Sequence, residues 1–199
     1  MRRWMIAGAC ALTLVGATAC GSENSGGGGS ADSTYKPPAV SNACDLLDLS
    51  ALNKWESTPG KREPKKQENI LGTELNCEAE NESTTTGRLA AFFLQTTTHK
   101  NIGEARSGYE MGVRFAKNAS DVTSSGALPG MGSEAFFVWT RRDFDADGML
   151  NMASAYQVSV LDGALEVHLV LSVAAPVTES EAATVAQQQV RRVLEQLKG

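Results

Sequence analysis

The chain is poor in histidine, proline and aromatic residues: 199 residues include two histidines, six prolines and 6% aromatics. His99 and His168 leave little material for a histidine-built metal centre. Neither has a Cys or His at ligand spacing, so both read as ordinary surface side chains. The signature nucleophile and phosphate motifs are also missing. The globular part has no G-x-S-x-G, no H-E-x-x-H, no phosphate-cradling glycine loop and no S-x-x-K. Scattered Asp and Glu residues allow an acid pair, as in any acidic domain, so the expectation is a protein that is not an enzyme and takes no cofactor. A surplus of positive charge is absent too. Eighteen Lys+Arg face 23 Asp+Glu, for a formal charge of -5. Such a balance cannot neutralise a run of phosphates, which excludes a strongly basic nucleic-acid binder. Four cysteines are too few for a disulfide-dense miniprotein. There is no internal repeat.

The N-terminus is richer in information. Arg2 and Arg3 precede an uncharged apolar run from Trp4 to Val15, and Ala17-Thr18-Ala19 stand directly before Cys20. A positive start, an apolar stretch and small residues at the cut make a secretory signal peptide over residues 1–19. The run falls short of the roughly 20 residues that span a bilayer. Small residues followed by cysteine resemble a bacterial lipobox. In that class the Cys20 sulfur would receive a diacylglycerol and become the first residue of the mature chain. Ala17 stands where Leu is commonest. The alternative is an ordinary signal peptide cut after Ala19, which leaves a secreted protein with a free thiol. Arg2-Arg3 fit the twin-arginine motif poorly, and the export route stays open. Loss of both arginines leaves 16 basic against 23 acidic residues, a charge of -7. An acidic domain is not drawn to anionic lipid, so the membrane would be a partner through the lipid anchor alone.

Residues 20–41 hold four consecutive glycines, several serines and Pro37-Pro38. This composition cannot bury enough surface to offset its ordering entropy. It reads as a tether reaching at most ~75 Å, with a root-mean-square span of ~25 Å. Residues 42–199 read as one domain. Asp45–Leu52 has the pattern of a short helix with Asp48 or Ser50 as N-cap. Glu56–Glu68, charged and carrying two prolines, reads as a loop. Strands are expected at Ile70–Ala79, Arg88–Thr97, Glu134–Thr140, Ser154–Leu161 and Leu165–Ala174. Phe136, Phe137 and Trp139 cluster on one of them, with Phe137 and Trp139 expected on a common core face. Leu128–Gly132 is a turn, and Asp162-Gly163 is a hairpin signal. An amphipathic helix spans about 101–117. A second helix opens with a Thr178/Glu181 capping box and carries an apolar stripe of Ala182, Val185, Ala186, Val190, Val193, Leu194 and Leu197. This order predicts an α+β fold: an antiparallel sheet with helices packed on one face.

Cys10 leaves with the signal peptide and Cys20 takes the lipid, so Cys44 and Cys77 remain. An even pair in an oxidising compartment predicts a disulfide that braces the domain. With no C-x-x-C spacing, a redox-active pair is disfavoured. Asp143, Asp145 and Asp147, followed by Gly148, match the first half of a calcium loop. Ser154 stands at its twelfth position, where a bidentate Glu is needed. A solvated turn is the favoured reading, with a weak calcium site left open. Asn81-Glu82-Ser83 and Asn118-Ala119-Ser120 match glycosylation spacing but are read as polar loop residues, since the lipobox implies a bacterium.

These features together resemble the actinobacterial lipoproteins grouped as domain of unknown function 3558. The matching residues are Cys20, the Gly/Ser tether, Asn42-Ala43-Cys44-Asp45-Leu46-Leu47, Cys77, Leu128-Pro129-Gly130-Met131-Gly132-Ser133-Glu134-Ala135-Phe136 and the C-terminal helix. The resemblance spans roughly 42–198. Ala43, where Pro is frequent, and the long charged Glu56–Glu68 segment depart from the pattern. The resemblance implies a disulfide-braced α+β domain on the extracytoplasmic face of the cell membrane, with no established catalytic residues. A looser similarity to the sensor domains of actinobacterial receptor kinases implies ligand sensing. The expected role is non-catalytic binding of an envelope protein or a small ligand. A small-molecule or lipid carrier is the alternative.

Overall fold

The computed structural model describes residues 40–143 and 152–198. The signal segment 1–19, Cys20, nearly all of the 20–41 tether, Asp145 and Asp147 lie outside the described residues; Asp143 ends a strand, but its side chain lies outside them too.

Two short 3-10 helices, Ala43–Leu46 and Leu49–Lys54, open the domain in place of the expected single helix. Asp48 interrupts them because its carboxylate accepts from the Ser50 backbone N–H at 3.0 Å and caps the second. The strands are β1 (Pro59–Glu68), β2 (Gly72–Ser83), β3 (Arg88–His99), β4 (Val122–Ala127), β5 (Glu134–Asp143), β6 (Met152–Asp162) and β7 (Leu165–Ala174). The helices are α1 (Ile102–Lys117), between β3 and β4, and α2 (Glu179–Leu197) at the end. All seven strands form one antiparallel sheet in the order β1-β2-β3-β7-β6-β5-β4. Two meanders therefore meet where β3 pairs with β7, and α1 makes the crossing between them.

Two further expectations are corrected, and one strand lies where none was expected. The charged Glu56–Glu68 segment contains β1 rather than being a loop. It is an edge strand with a single ladder partner, where Lys, Glu and Pro are tolerated because one side of the backbone faces water. Val122–Ala127, too small and polar to read as a strand, forms the opposite edge. Lastly, the helices do not share one face of the sheet. The core groups α2 and the first 3-10 helix with Leu75, Cys77, Phe92, Leu94, Val158 and Leu169, whereas α1 packs through Ala105 and Tyr109 on Leu161 and Phe136. Leu161 and Phe136 alternate with Val160 and Phe137, so α1 lies on the other face.

The α2 face is closed. Thr178 and Glu181 form the expected capping box, and Ala182, Ala186, Val190, Val193, Leu194 and Leu197 are buried. Trp139 and Tyr156 stand 6.2 Å apart between ring centres, and Phe137 stacks on Tyr156 at 5.3 Å. Cys44 and Cys77 are disulfide-bonded, 33 residues apart in sequence. The bond ties the first 3-10 helix to the middle of β2. Asn81 is a buried hub and not a loop residue: 1% exposed, it accepts from Arg62 Nη2 and donates to Asn53 Oδ1 and the Glu56 carbonyl. It thereby ties β2 to β1 and to the second 3-10 helix.

Candidate functional site

The second face differs from the first in chemistry. Alternation along β2, β3, β7 and β6 places Asn76, Gln95, His168 and Ser159 side by side across four strands, since these residues are direct register partners. The next row holds Glu74, Thr97, Glu166 and Leu161. Asn101 caps α1 by accepting from the Glu104 N–H at 2.9 Å, and the helix then crosses this polar face. Only two of its side chains are buried, while Met111 and Phe115 project into solvent at 56% and 72% exposure. α1 covers part of the face and leaves recesses along its flanks.

One flank carries an apolar cleft of about 470 Å³, lined by Tyr109, Val113, Leu128, Met131 and Phe136 with Lys117 at its edge. The Leu128–Gly132 turn builds one wall. Its Gly130 and Gly132 take positive φ, and a Cβ on Gly132 would meet Val160 Cγ1 at 2.6 Å and the Leu161 carbonyl at 2.8 Å. The Lys117 ammonium sits 4.3 Å from the centre of the Phe136 ring. Arg106 pairs with Glu134 at 2.6 Å beside it. Burial raises the Tyr109 hydroxyl pKa, and the charge on Glu134 adds to the effect. The cleft can take an apolar group of a ligand and offers both charge signs at its rim.

On the other flank lies a polar recess of about 210 Å³, lined by Gln95, Thr97, Gly112, Glu166 and His168. Glu166 holds buried His99 at 3.1 Å from Nε2, and Ser159 Oγ lies 3.1 Å from His168 Nδ1. Gly108 lets the helix backbone rest over this group, because a Cβ there would come within 2.7 Å of Glu166 Oε2. Burial lowers the His168 pKa, with Glu166 partly opposing it. A third recess of about 300 Å³ lies at the far end of the face, beside Asp121 and Arg142, which pair at 2.5 Å. That pairing lowers the Asp121 pKa and raises that of Arg142.

The expectation of two surface histidines is corrected for His99, which is 8% exposed and hydrogen-bonded to Glu166. His168 alternates with the core residues Val167 and Leu169, so it points away from the α2 core, but it faces a recess. Ser159, His168 and Glu166 do not form a nucleophile relay. The hydroxyl is buried, and the carboxylate places Oε2 on His99 and makes no hydrogen bond to His168. No group of three His, Cys, Asp or Glu among the described residues could hold a metal ion. Sequence reasoning missed Asn76, Gln95, Ser159 and Glu166. Their only signal was polar residues alternating within apolar strands.

No described helix is long and apolar enough to cross a membrane. No protein-family model matches the chain, and no curated protein matches it. Among solved structures, the chain is similar to the extracellular domain of PknH from Mycobacterium tuberculosis, at 10% identity and a TM-score of 0.43, over 81% of this chain and 99% of that one.

Proposed function

We propose that this chain is an exported, lipid-anchored, non-catalytic binding protein of α+β build, akin to the domain of unknown function 3558 lipoproteins. Its ligand, on this reading, has an apolar body that sits between α1 and the Leu128–Gly132 turn. The apolar cleft of about 470 Å³ beside Tyr109, Val113 and Phe136 carries the reading. The signal segment, the lipobox-like Ala17-Thr18-Ala19-Cys20 and the Cys44–Cys77 bond support export to an oxidising compartment. Exposed Met111 and Phe115 favour a second reading, in which α1 meets a protein partner.

A photo-crosslinking residue at Val113, with exposed Glu195 as control position, tests this in the native envelope. An adduct of small-molecule mass at Val113 alone is expected. A protein-sized adduct there selects the second reading, and no adduct at either position removes both. Separately, Cys20→Ser should release the chain from the membrane fraction; its retention there would overturn the lipid anchor.

A further inference from the structure

We propose that the polar recess beside α1 binds a single pyranose ring of an uncharged glycan. This goes beyond the cleft reading and does not depend on it. The recess presents amide, imidazole, hydroxyl and carboxylate groups at the regular strand spacing of about 4.8 Å. Several of these groups are unspent. Among the described residues, the Gln95 amide makes no hydrogen bond and His168 uses only Nδ1. Glu166 places one oxygen on His99 and keeps the other.

The electrostatics select against anions. Among the described residues no Lys or Arg lines the recess, and Glu166 does. Glu74 stands in the same sheet row. A carboxylate or phosphate would meet repulsion, while hydroxyls can donate to Glu166 and accept from Gln95. Burial keeps His168 uncharged near neutrality, which suits a neutral ligand. Phe93, two residues before Gln95 on the same face of β3 and 42% exposed, lies beyond the lining of the recess, on the side of Gln95 away from Thr97. Gly112 supplies the room, since a Cβ built on it meets nothing within 4 Å.

That open space also provides the test. The purified full mature chain is titrated with methyl α-glucopyranoside, methyl α-mannopyranoside, methyl α-galactopyranoside and N-acetylglucosamine, followed by saturation-transfer NMR. At least one should bind with millimolar affinity or better, and glucuronate should bind more weakly. Gly112→Leu, which fills the recess from an open position, should abolish binding while its thermal melt shows a folded protein. Gln95→Ala should weaken binding about tenfold, and Glu195→Ala, at an exposed position of α2, should leave it unchanged. Failure of all four pyranosides to bind overturns the proposal. So does binding that survives in Gly112→Leu, or a preference for glucuronate. None of these outcomes touches the cleft or the lipid anchor.

Discussion

Replacing Cys44 and Cys77 together by alanine tests the energetics of the domain most directly. The bond closes a loop of 33 residues' separation, and both residues sit in the core at 6% and 0% exposure. The chain-entropy model assigns about 3.7 kcal/mol to a loop of this length, through restriction of the unfolded chain. Loss of two packed sulfurs adds about 1 kcal/mol of cavity cost. The double variant should therefore be less stable by about 4–5 kcal/mol, or roughly 8–20 °C in melting temperature for a domain of this size. Urea denaturation separates the two contributions. If the bond acts on the unfolded state, the freed chain exposes more surface and the m-value rises along with the fall in midpoint. If the loss comes only from packing, the midpoint falls and m stays constant. A double variant with the parent's midpoint and m-value would refute the reasoning outright.

Two further outcomes follow from buried polar groups. Asn81→Ala strips the Glu56 carbonyl and Arg62 of their shared partner and should cost about 2–4 kcal/mol in urea denaturation; a loss under about 1 kcal/mol would show that water replaces the amide. The His168 pKa lies below its usual 6.5 in the folded state, so between the two values the unfolded chain binds more protons. Stability present above about pH 6.5 should then decline as the pH falls toward the folded value, before the lowered carboxylates Glu56, Asp121 and Glu181 begin to protonate. Melting at about pH 7.5 and about pH 5.5 should show that decline in the parent and a smaller one in His168→Gln; equal declines would sink the assignment.

Much of the fold was legible where one local rule dominates. The Thr178 capping box and the stripe from Ala182 to Leu197 announce α2 because capping and periodicity are properties of one segment. Parity along β5 placed Phe137 and Trp139 together. The Cys44–Cys77 pair followed from compartment and counting. What stayed hidden depends on neighbours. β1 is a strand because β2 accepts it at an edge, despite Pro59, Pro64 and its charges. α1 carries too few buried positions for its stripe to reveal which face of the sheet it meets. The polar row joins residues 76, 95, 159 and 168 only through the register of four strands, and no window along the chain contains it.

The disulfide also governs how the domain meets mechanical load. Cys44 lies in the first 3-10 helix, and its bond leads straight to the middle of β2. Tension applied from the N-terminal side would pass through sulfur into the sheet at Cys77. Everything between the two cysteines, including both 3-10 helices beyond Cys44, β1 and its turn into β2, lies in a closed covalent loop that such a pull cannot unravel. Stretching from that side would leave this loop closed until the antiparallel ladders on either side of β2 give way.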